Sequence, residues 1–258
     1  MAILEVEEVS KFFGGLAAVS NLNFSVSDRQ EILGLIGPNG AGKTTVFNLI
    51  TGLLRPSRGT IRFQGRDISS EKPYTISARG IARTFQATSL FFEETVLNNM
   101  LIARHGQMKS GIWGALVEPP STAREERGAL EKSLELLEKV GLASKAKDFP
   151  PNLTSVEQRM LMIAMALATG PSLLLLDEPS AGMRPQEAST LMHLIGRVRE
   201  MGIAVILIEH DMKVVMNTCD RIAVLNFGMK IAEGTPEEIR AHPRVIEAYL
   251  GRRASAAR

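Results

Sequence analysis

The chain has 258 residues, of which 45% are hydrophobic and 22% charged, as is ordinary for a soluble globular protein of one large domain or two closely joined lobes. Its net charge of +2 gives no general electrostatic reason to expect nucleic acid as a partner. The single cysteine, Cys219, excludes an internal disulfide and is typical of a reducing compartment.

The chain also lacks the patterns that direct a protein into or across a membrane. Its N-terminus has no basic region followed by an apolar one, so we expect no secretory signal. The longest apolar runs, such as residues 160–168, fall far short of a membrane span. We therefore predict a cytosolic protein, unless a partner brings it to a membrane.

Strand patterns dominate the first part of the chain. Residues 3–9 and 21–26 alternate apolar and polar side chains, as half-buried strands do. Residues 11–15, between them, are predicted as a turn that carries two aromatic side chains. Further strands are predicted at residues 60–65 and 81–85.

A phosphate-binding motif interrupts this series of strands. Residues 37–44 match the pattern G-x-x-x-x-G-K-[ST]. The apolar residues 31–36 before them predict a buried parallel strand, and residues 45–51 after them predict a helix that ends at Gly52. Strand, glycine loop and helix in this order are the context that makes the motif credible.

The residue types of this motif suit a triphosphate. Gly37, Gly40 and Gly42 let the backbone wrap a phosphate closely, in conformations that a side chain would block. The loop amides then face the anion, while Lys43 supplies a charge for the β- and γ-phosphates and the Thr44 hydroxyl a ligand for Mg²⁺. The predicted nucleotide-binding residues of this region are Gly37, Pro38, Asn39, Gly40, Ala41, Gly42, Lys43, Thr44 and Thr45.

The pattern changes to helix between residues 87 and 168. Residues 128–140 carry leucines at helical spacing, and Gly141 closes that helix. Residues 106–120 contain glycines and prolines and are predicted as a loop or short helix that projects from this region.

Strand patterns then return. Residues 173–176 and 204–208 are continuous apolar runs, typical of central parallel strands covered on both faces. The amphipathic residues 186–201 between them predict the crossover helix. Residues 221–226 and 229–233 are predicted as a closing pair of strands.

A last helix is predicted to begin after Thr235, which caps it.

The chain therefore divides into four predicted regions. The regions are a β lobe with the first part of an ATP-binding core (1–86), a helical lobe (87–168), the second part of the core (169–250) and a disordered tail (251–258).

Two carboxylates, Asp177 and Glu178, follow the apolar run at residues 173–176. Ligands bind at the carboxyl ends of such strands, so this position suits a functional pair. We expect Asp177 to hold Mg²⁺, through water, and Glu178 to polarise the attacking water.

Four features occur in the order of one known family: the phosphate loop at residues 37–44, then Gln86, then Asp177-Glu178, then His210. In this order they resemble an ATP-binding-cassette (ABC) ATPase, and the resemblance extends to about residue 250. It implies an α/β fold of the P-loop NTPase class, with a RecA-like mixed sheet as the core, an antiparallel β lobe and an inserted helical lobe. It also implies that ATP and Mg²⁺ bind together.

The resemblance implies roles for residues outside the phosphate loop. Phe13 would stack on adenine, although the neighbouring Phe12 is an alternative, and Gln86 would contact Mg²⁺ and link the nucleotide to the helical lobe. His210 would contact the γ-phosphate. The implied catalytic residues are Lys43, Glu178 and His210, and the implied metal ligands are Thr44, Gln86 and Asp177.

One motif departs from the family. The signature loop, usually Leu-Ser-Gly-Gly-Gln, has Thr154, Ser155, Val156 and Glu157 at its last four positions. In the family this loop covers the ATP bound by the opposite subunit of a head-to-tail dimer. A β-branched Val156 restricts the close backbone approach that glycine permits, so the site that uses this loop is expected to hydrolyse ATP more slowly. That site is one of two in a heterodimer and both in a homodimer.

Short stretches narrow the resemblance to the ATPase subunit of branched-chain amino acid importers; they lie at residues 13–19, 208–213, 217–222, 233–236 and 242–251. The implied partners are a second ATPase subunit, two membrane permeases and, indirectly, a periplasmic solute-binding protein. The implied location is the cytoplasmic face of the inner membrane. The alternatives are an importer of urea or short amides, a non-transport ABC ATPase, and a P-loop kinase or GTPase. The absence of a guanine-binding motif argues against a GTPase, and Gln86 together with His210 argues against a kinase.

Overall fold

A computed structural model describes residues 2–27, 30–84, 90–105 and 120–255 of the chain. The strands of these residues are β1 (Leu4–Phe13), β2 (Leu16–Val26), β3 (Ile32–Ile36), β4 (Arg58–Phe63), β5 (Arg66–Asp67), β6 (Ile81–Thr84), β7 (Leu173–Asp177), β8 (Ala204–Ile208), β9 (Arg221–Asn226) and β10 (Met229–Gly234). The helices are α1 (Lys43–Ile50), α2 (Pro73–Ala78), α3 (Val96–His105), α4 (Pro120–Lys139), α5 (Ser155–Ala168), α6 (Pro185–Glu200), α7 (Met212–Thr218), α8 (Pro236–Ala241) and α9 (Pro243–Ser255).

Two sheets organise these elements. The smaller sheet is antiparallel, with the strand order β2-β1-β4-β5. The larger sheet has the order β10-β9-β3-β8-β7-β6, and its strands pair in parallel except for β10, which is antiparallel to β9. The predicted α/β class, mixed core sheet, antiparallel β lobe and inserted helical lobe are confirmed.

The larger sheet is covered on both faces, which explains its apolar strands. Every residue of β3, β7 and β8 is buried. Successive side chains of β7 point to opposite faces: Leu174 and Leu176 join one core with the helical lobe, while Leu173 and Leu175 join a second core with α1 and the β lobe. A continuous apolar run therefore serves two cores at once.

Glycines close the two helices at which they were predicted to do so. Helix α1 ends at Ile50, and Gly52 has a φ of +71°. Helix α4 ends at Lys139, and Gly141 has a φ of +80°. Both glycines take the left-handed conformation that terminates a helix.

The structure differs from the sequence analysis at two places. Residues 11–13, predicted as part of a turn, continue β1, because Phe12 and Phe13 pair with Ala17 and Leu16 of β2 and leave Gly14-Gly15 as the turn. Helix α9 extends to Ser255, into the segment 251–258 that was predicted as a disordered tail; its arginines and alanine favour helix. Phe85, at the end of the predicted strand 81–85, and residues 106–119 of the predicted projection lie outside the described residues.

In the described part of the chain, no helix is both long enough and apolar enough to cross a membrane.

Cys219 lies between α7 and β9 and is buried against the core sheet. A side-chain carbon added to Gly34 of β3 would lie only 2.9 Å from its Sγ atom. Burial, and then the negative charges of Asp220 and Glu209, raise the pKa of the thiol from 9.0 to about 12. Cys219 therefore behaves as a small core side chain and not as a reactive thiol.

We expect the Cys219 thiol to resist Ellman's reagent in the folded protein. The pKa increase from 9.0 to about 12 leaves about a thousandfold less thiolate at neutral pH. In denaturant, one equivalent is expected to react at the rate of a free thiol. Since the unfolded thiol loses its proton first, the native state is expected to lose stability as pH rises from about 9 toward 12. Rapid stoichiometric labelling of the native protein would contradict this assignment.

Candidate functional site

Parallel pairing brings the predicted site residues to one edge of the larger sheet. The phosphate loop follows β3, Asp177 ends β7, Glu178 comes next, and His210 lies two residues beyond β8. Strand β8 lies between β3 and β7, so the carboxyl ends of adjacent strands are about 5 Å apart and those of β3 and β7 are about 10 Å apart. Gln86, predicted to follow β6 at the same edge, lies outside the described residues.

The phosphate loop requires glycine at two positions because other parts of the backbone approach it closely. Gly37 has a φ of +152°, and a side-chain carbon there would lie 2.1 Å from the carbonyl oxygen of Leu225. Gly42 has a φ of +100°, and a side-chain carbon there would lie 2.5 Å from the carbonyl oxygen of Ala18. Both conformations also strain a residue with a side chain.

The loop leads into α1 without a side-chain cap. Gly42 occupies the N-cap position, and the first turn contains no acidic residue. The amides of Lys43, Thr44 and Thr45 have no carbonyl within the helix to accept their hydrogen bonds. These amides and the positive end of the helix form a site for an anion, beside which the side chain of Thr44 is exposed.

Lys43 is buried within this loop. Its Nζ atom donates hydrogen bonds to the carbonyl oxygens of Gly37, at 2.7 Å, and Pro38, at 3.1 Å. Each of the two acceptors is a neutral carbonyl, which binds an ammonium less strongly than a phosphate oxygen does. Lys43 is thus held at the loop in a position to exchange carbonyls for phosphate oxygens.

Glu178 and His210 form a direct pair. Glu178 Oε1 and His210 Nε2 are 2.7 Å apart, and the two side chains are 25% and 43% exposed. Glu178 has a φ of +50°, which is uncommon for a residue with a side chain, and its amide donates to the carbonyl of Ile208 at 2.9 Å. A carboxylate that is accessible to water, hydrogen-bonded to an imidazole and carried on a strained backbone is suited to general-base chemistry.

Glu209 was not predicted, and it connects the loops that carry this pair. Glu209 is only 4% exposed; its Oε1 accepts from the amide and hydroxyl of Ser180 at 2.8 and 2.6 Å, and its Oε2 accepts from the amide of His210 at 3.2 Å. The loop after β7 is therefore tied to the loop after β8. The signal in the sequence was an acid that directly follows a fully apolar strand.

Arg83 was also missed, and it contacts Asp177. Arg83 Nη2 donates to Asp177 Oδ2 at 2.8 Å, and both side chains are only 6% exposed. The second nitrogen, Nη1, donates to Asn48 Oδ1 of α1 at 2.6 Å. The signal in the sequence was a single charge in a short strand, β6, whose first two residues are buried.

The remaining donors fit a magnesium ion held jointly with a phosphate. Asp177 Oδ1 is buried and has no hydrogen-bond partner among the described residues, while the Thr44 side chain is exposed. Those residues contain no cluster of three or more acidic, histidine or cysteine side chains able to hold a metal. Mg²⁺ does not need such a cluster, because it usually takes one or two protein oxygens together with phosphates and waters.

The altered signature loop caps α5. Thr154 and Glu157 form the predicted capping box: the amide of Thr154 donates to Glu157 Oε2 at 2.8 Å, and the amide of Glu157 donates to Thr154 Oγ1 at 3.3 Å. Ser155 and Val156 are the first residues of α5, and Val156 packs partly against the core of the helical lobe. Neither residue has a positive φ, so the loop itself does not require glycine.

The two candidate adenine-stacking residues lie at the end of β1. Phe13 is about half exposed and lies under the ammonium of Lys11, whose Nζ atom is 5.3 Å from the ring centre. Phe12 is also exposed and lies under Arg58. Their hairpin contacts the phosphate loop, because Ala18 of β2 adjoins Gly42. Phe13 stays a prediction as the residue that stacks on adenine.

Two protein-family models match the chain. Residues 19–181, more than half of the chain, match the family described as ABC transporter. Residues 229–255 match the family described as branched-chain amino acid ATP-binding cassette transporter.

Similar proteins and structures cover almost the full length. The chain is 45% identical over 250 residues to the high-affinity branched-chain amino acid transport ATP-binding protein LivG of Escherichia coli, covering 96% of this chain and 98% of LivG. It is 44% identical over 250 residues to BraF of Pseudomonas aeruginosa, which has the same description, with the same coverage.

A crystal structure of a nucleotide-free ATP-binding cassette from an ABC transporter is similar, with a TM-score of 0.83 at 32% identity, covering 96% of this chain and 99% of that one. The ADP conformation of such a cassette gives a TM-score of 0.84 at 30% identity, covering 97% and 99%. The chain therefore belongs to the ABC transporter family and is one of its ATP-binding cassettes.

Proposed function

We propose that this chain is the ATP-hydrolysing subunit of a membrane importer for branched-chain amino acids. The observation that carries the proposal is the sheet edge at which an anion-binding loop, a buried aspartate and a glutamate–histidine pair are neighbours. The transported solute is supported by the match of residues 229–255 and by the names of LivG and BraF. No feature of the described residues favours urea or a short amide instead.

In the proposed mechanism the phosphate loop binds the triphosphate. The amides at the start of α1 and the Lys43 ammonium bind the β- and γ-phosphates, and Phe13 stacks on the adenine ring. Thr44, Asp177 and Gln86 would hold Mg²⁺, which would supply neutralisation of the charge on the phosphates. Positioning and charge neutralisation supply most of the rate enhancement.

Glu178 and His210 act on the attacking water and the γ-phosphate. The Glu178 carboxylate accepts a hydrogen bond from the water and aligns it for attack. His210 holds Glu178 through the 2.7 Å hydrogen bond and contacts the γ-phosphate. Lys43 stabilises the charge that develops on the transferred group.

The subunit works in an assembly with other chains. A second cassette, of the same or another chain, packs head-to-tail, and the loop of Thr154, Ser155, Val156 and Glu157 covers the nucleotide of that partner. Two membrane permease subunits hold the pair at the cytoplasmic face of the inner membrane, and a periplasmic protein delivers the solute. The helical lobe transmits closure of the cassettes to the permeases.

The Lys43→Ala substitution is expected to weaken ATP binding about 100-fold, or about 2.7 kcal/mol, because it removes the only cation within the phosphate motif. Titration calorimetry with ATP measures the change. Lys139→Ala is the matched control, since Lys139 forms an exposed ion pair with Glu135 on the helical lobe. ATP affinity equal to that of the native chain would remove Lys43 from the site.

Uptake assays test the proposed solute in cells that express the chain with its permeases. Radiolabelled leucine is expected to accumulate with the native chain and to fall to background with Lys43→Ala. Accumulation of urea, and not leucine, would contradict the branched-chain assignment while leaving the ATPase assignment intact.

The Glu178→Gln substitution is expected to retain ATP binding within about twofold and to lower turnover by about 10²–10⁴-fold, because an amide does not accept a proton from water. Phosphate release measures turnover, and the exposed Glu135→Gln variant is the control. Retained hydrolysis would show that another group activates the water.

A double substitution tests the altered signature loop. Restoring glycine with Ser155→Gly and Val156→Gly is expected to raise steady-state hydrolysis about three- to tenfold, because the backbone then approaches the partner's nucleotide more closely. Since glycine lowers helix stability, thermal unfolding is measured in parallel. Thr235→Ala, which removes the matching cap of α8 outside this loop, controls for a loss of helix stability. Equal rates of hydrolysis would discard the idea.

A further inference from the structure

We propose that Arg83 is a positioning residue for the cation site: it fixes Asp177 relative to α1, so that one carboxylate oxygen of Asp177 is held toward Mg²⁺. The inference rests on the proposed function, because it assumes that Mg²⁺ binds together with the nucleotide. Arg83 itself does not contact the reacting atoms in this proposal. It acts through the side chains that it holds.

The guanidinium of Arg83 contacts two elements that carry predicted metal ligands. Its Nη2 atom is 2.8 Å from Asp177 Oδ2 at the end of β7, and its Nη1 atom is 2.6 Å from Asn48 Oδ1 of α1. Its central carbon lies 5.3 Å from the ring centre of Phe47, also in α1. Phe47 thus lies against the guanidinium, and Asn48 and Asp177 accept hydrogen bonds from its edge. The ammonium of lysine has no planar group that could make this arrangement.

Asn48 is one helical turn beyond Thr44, so both side chains lie on the same face of α1. Arg83 pairs with Leu175 in the sheet, which places Arg83 on the same face as Asp177, two residues further along β7. A single side chain therefore sets the separation between the helix that presents Thr44 and the strand that presents Asp177. Gln86, the third predicted ligand, is three residues beyond Arg83.

The ion pair also fixes the orientation of the Asp177 carboxylate. Arg83 binds Oδ2, whereas Oδ1 is buried without a hydrogen-bond partner among the described residues. A buried carboxylate oxygen without a partner is unfavourable unless a ligand completes it. With Oδ2 occupied, the carboxylate cannot rotate freely, and Oδ1 is left for a water or cation at the nucleotide.

A purely structural ion pair predicts a different result. Such a pair affects the stability of the fold, and it changes nucleotide binding equally with and without a cation. A positioning role predicts a loss that is confined to the binding of the cation. The dependence of nucleotide affinity on Mg²⁺ distinguishes the two roles.

The experiment compares the native chain with Arg83→Lys, which keeps the charge but does not bridge Asn48 and Asp177 at once. The affinity for ADP is measured by calorimetry in EDTA and in saturating Mg²⁺, and bound Mn²⁺ is followed by electron paramagnetic resonance with ADP present. We expect unchanged affinity in EDTA, about tenfold less gain in affinity on adding Mg²⁺, and weaker Mn²⁺ binding.

Arg79→Lys is the matched control, because Arg79 forms a two-pronged pair with Glu71 away from the site, with both distances at 2.6 Å. We expect it to leave the Mg²⁺ dependence unchanged. Asn48→Ala, which removes only the helix-side partner of Arg83, is expected to give a smaller loss of the same kind and keeps the test valid if Arg83→Lys does not fold.

Two results would overturn the inference. If the Arg83 and Asn48 variants keep the full Mg²⁺ dependence while their melting temperatures fall, the pair is structural only. If the native chain itself binds ADP without any Mg²⁺ dependence, the proposed cation fails and the role of Arg83 fails with it.

Discussion

Parallel pairing of β3, β8, β7 and β6 is the constraint on which the site depends. Strands β3, β7 and β8 are buried along their full length between two apolar cores, and the phosphate loop, Asp177-Glu178 and Glu209-His210 lie at their carboxyl ends on one edge. The candidate site residues therefore lie where the buried strands end. Asp177 and Glu178, adjacent in sequence, separate at this boundary: the first is buried against Arg83, and the second turns outward to His210. One strand end thus carries both the proposed cation ligand and the proposed water-activating base.

The outward turn at Glu178 has a cost that its surroundings offset. A left-handed conformation costs a residue with a side chain about 1–2 kcal/mol. The amide of Glu178 is bonded to Ile208, and the next turn is fixed where Glu209 accepts two hydrogen bonds from Ser180. Hydrogen bonds to a charged acceptor contribute about 1.5–3 kcal/mol each. The two bonds from Ser180 to Glu209 therefore outweigh the cost of the left-handed conformation at Glu178. Glu209 thereby fixes the loop that follows Glu178.

Features that depend on neighbouring residues could be predicted from the sequence, and features that depend on distant ones could not. The phosphate loop, the apolar strands and the capping box each lie within a few residues, and their patterns identified them. Arg83 and Asp177 are 94 residues apart, and Ser180 and Glu209 are 29 apart. Their pairing follows from strand order, which the sequence alone does not specify. Residues 11–13 were mistaken for a turn for the same reason, because pairing with β2 outweighs the local preference.

The two halves of the site differ in exposure, and this difference bears on the proposed partner. Lys43 and the Arg83–Asp177 pair are buried within the chain, so their packing does not depend on a second subunit. Glu178 and His210 remain 25% and 43% exposed, where bulk water weakens their electrostatic effect on a developing charge. A second cassette over this half would exclude that water and strengthen the interaction. Binding of nucleotide would then be a property of one chain, and fast hydrolysis a property of the closed pair.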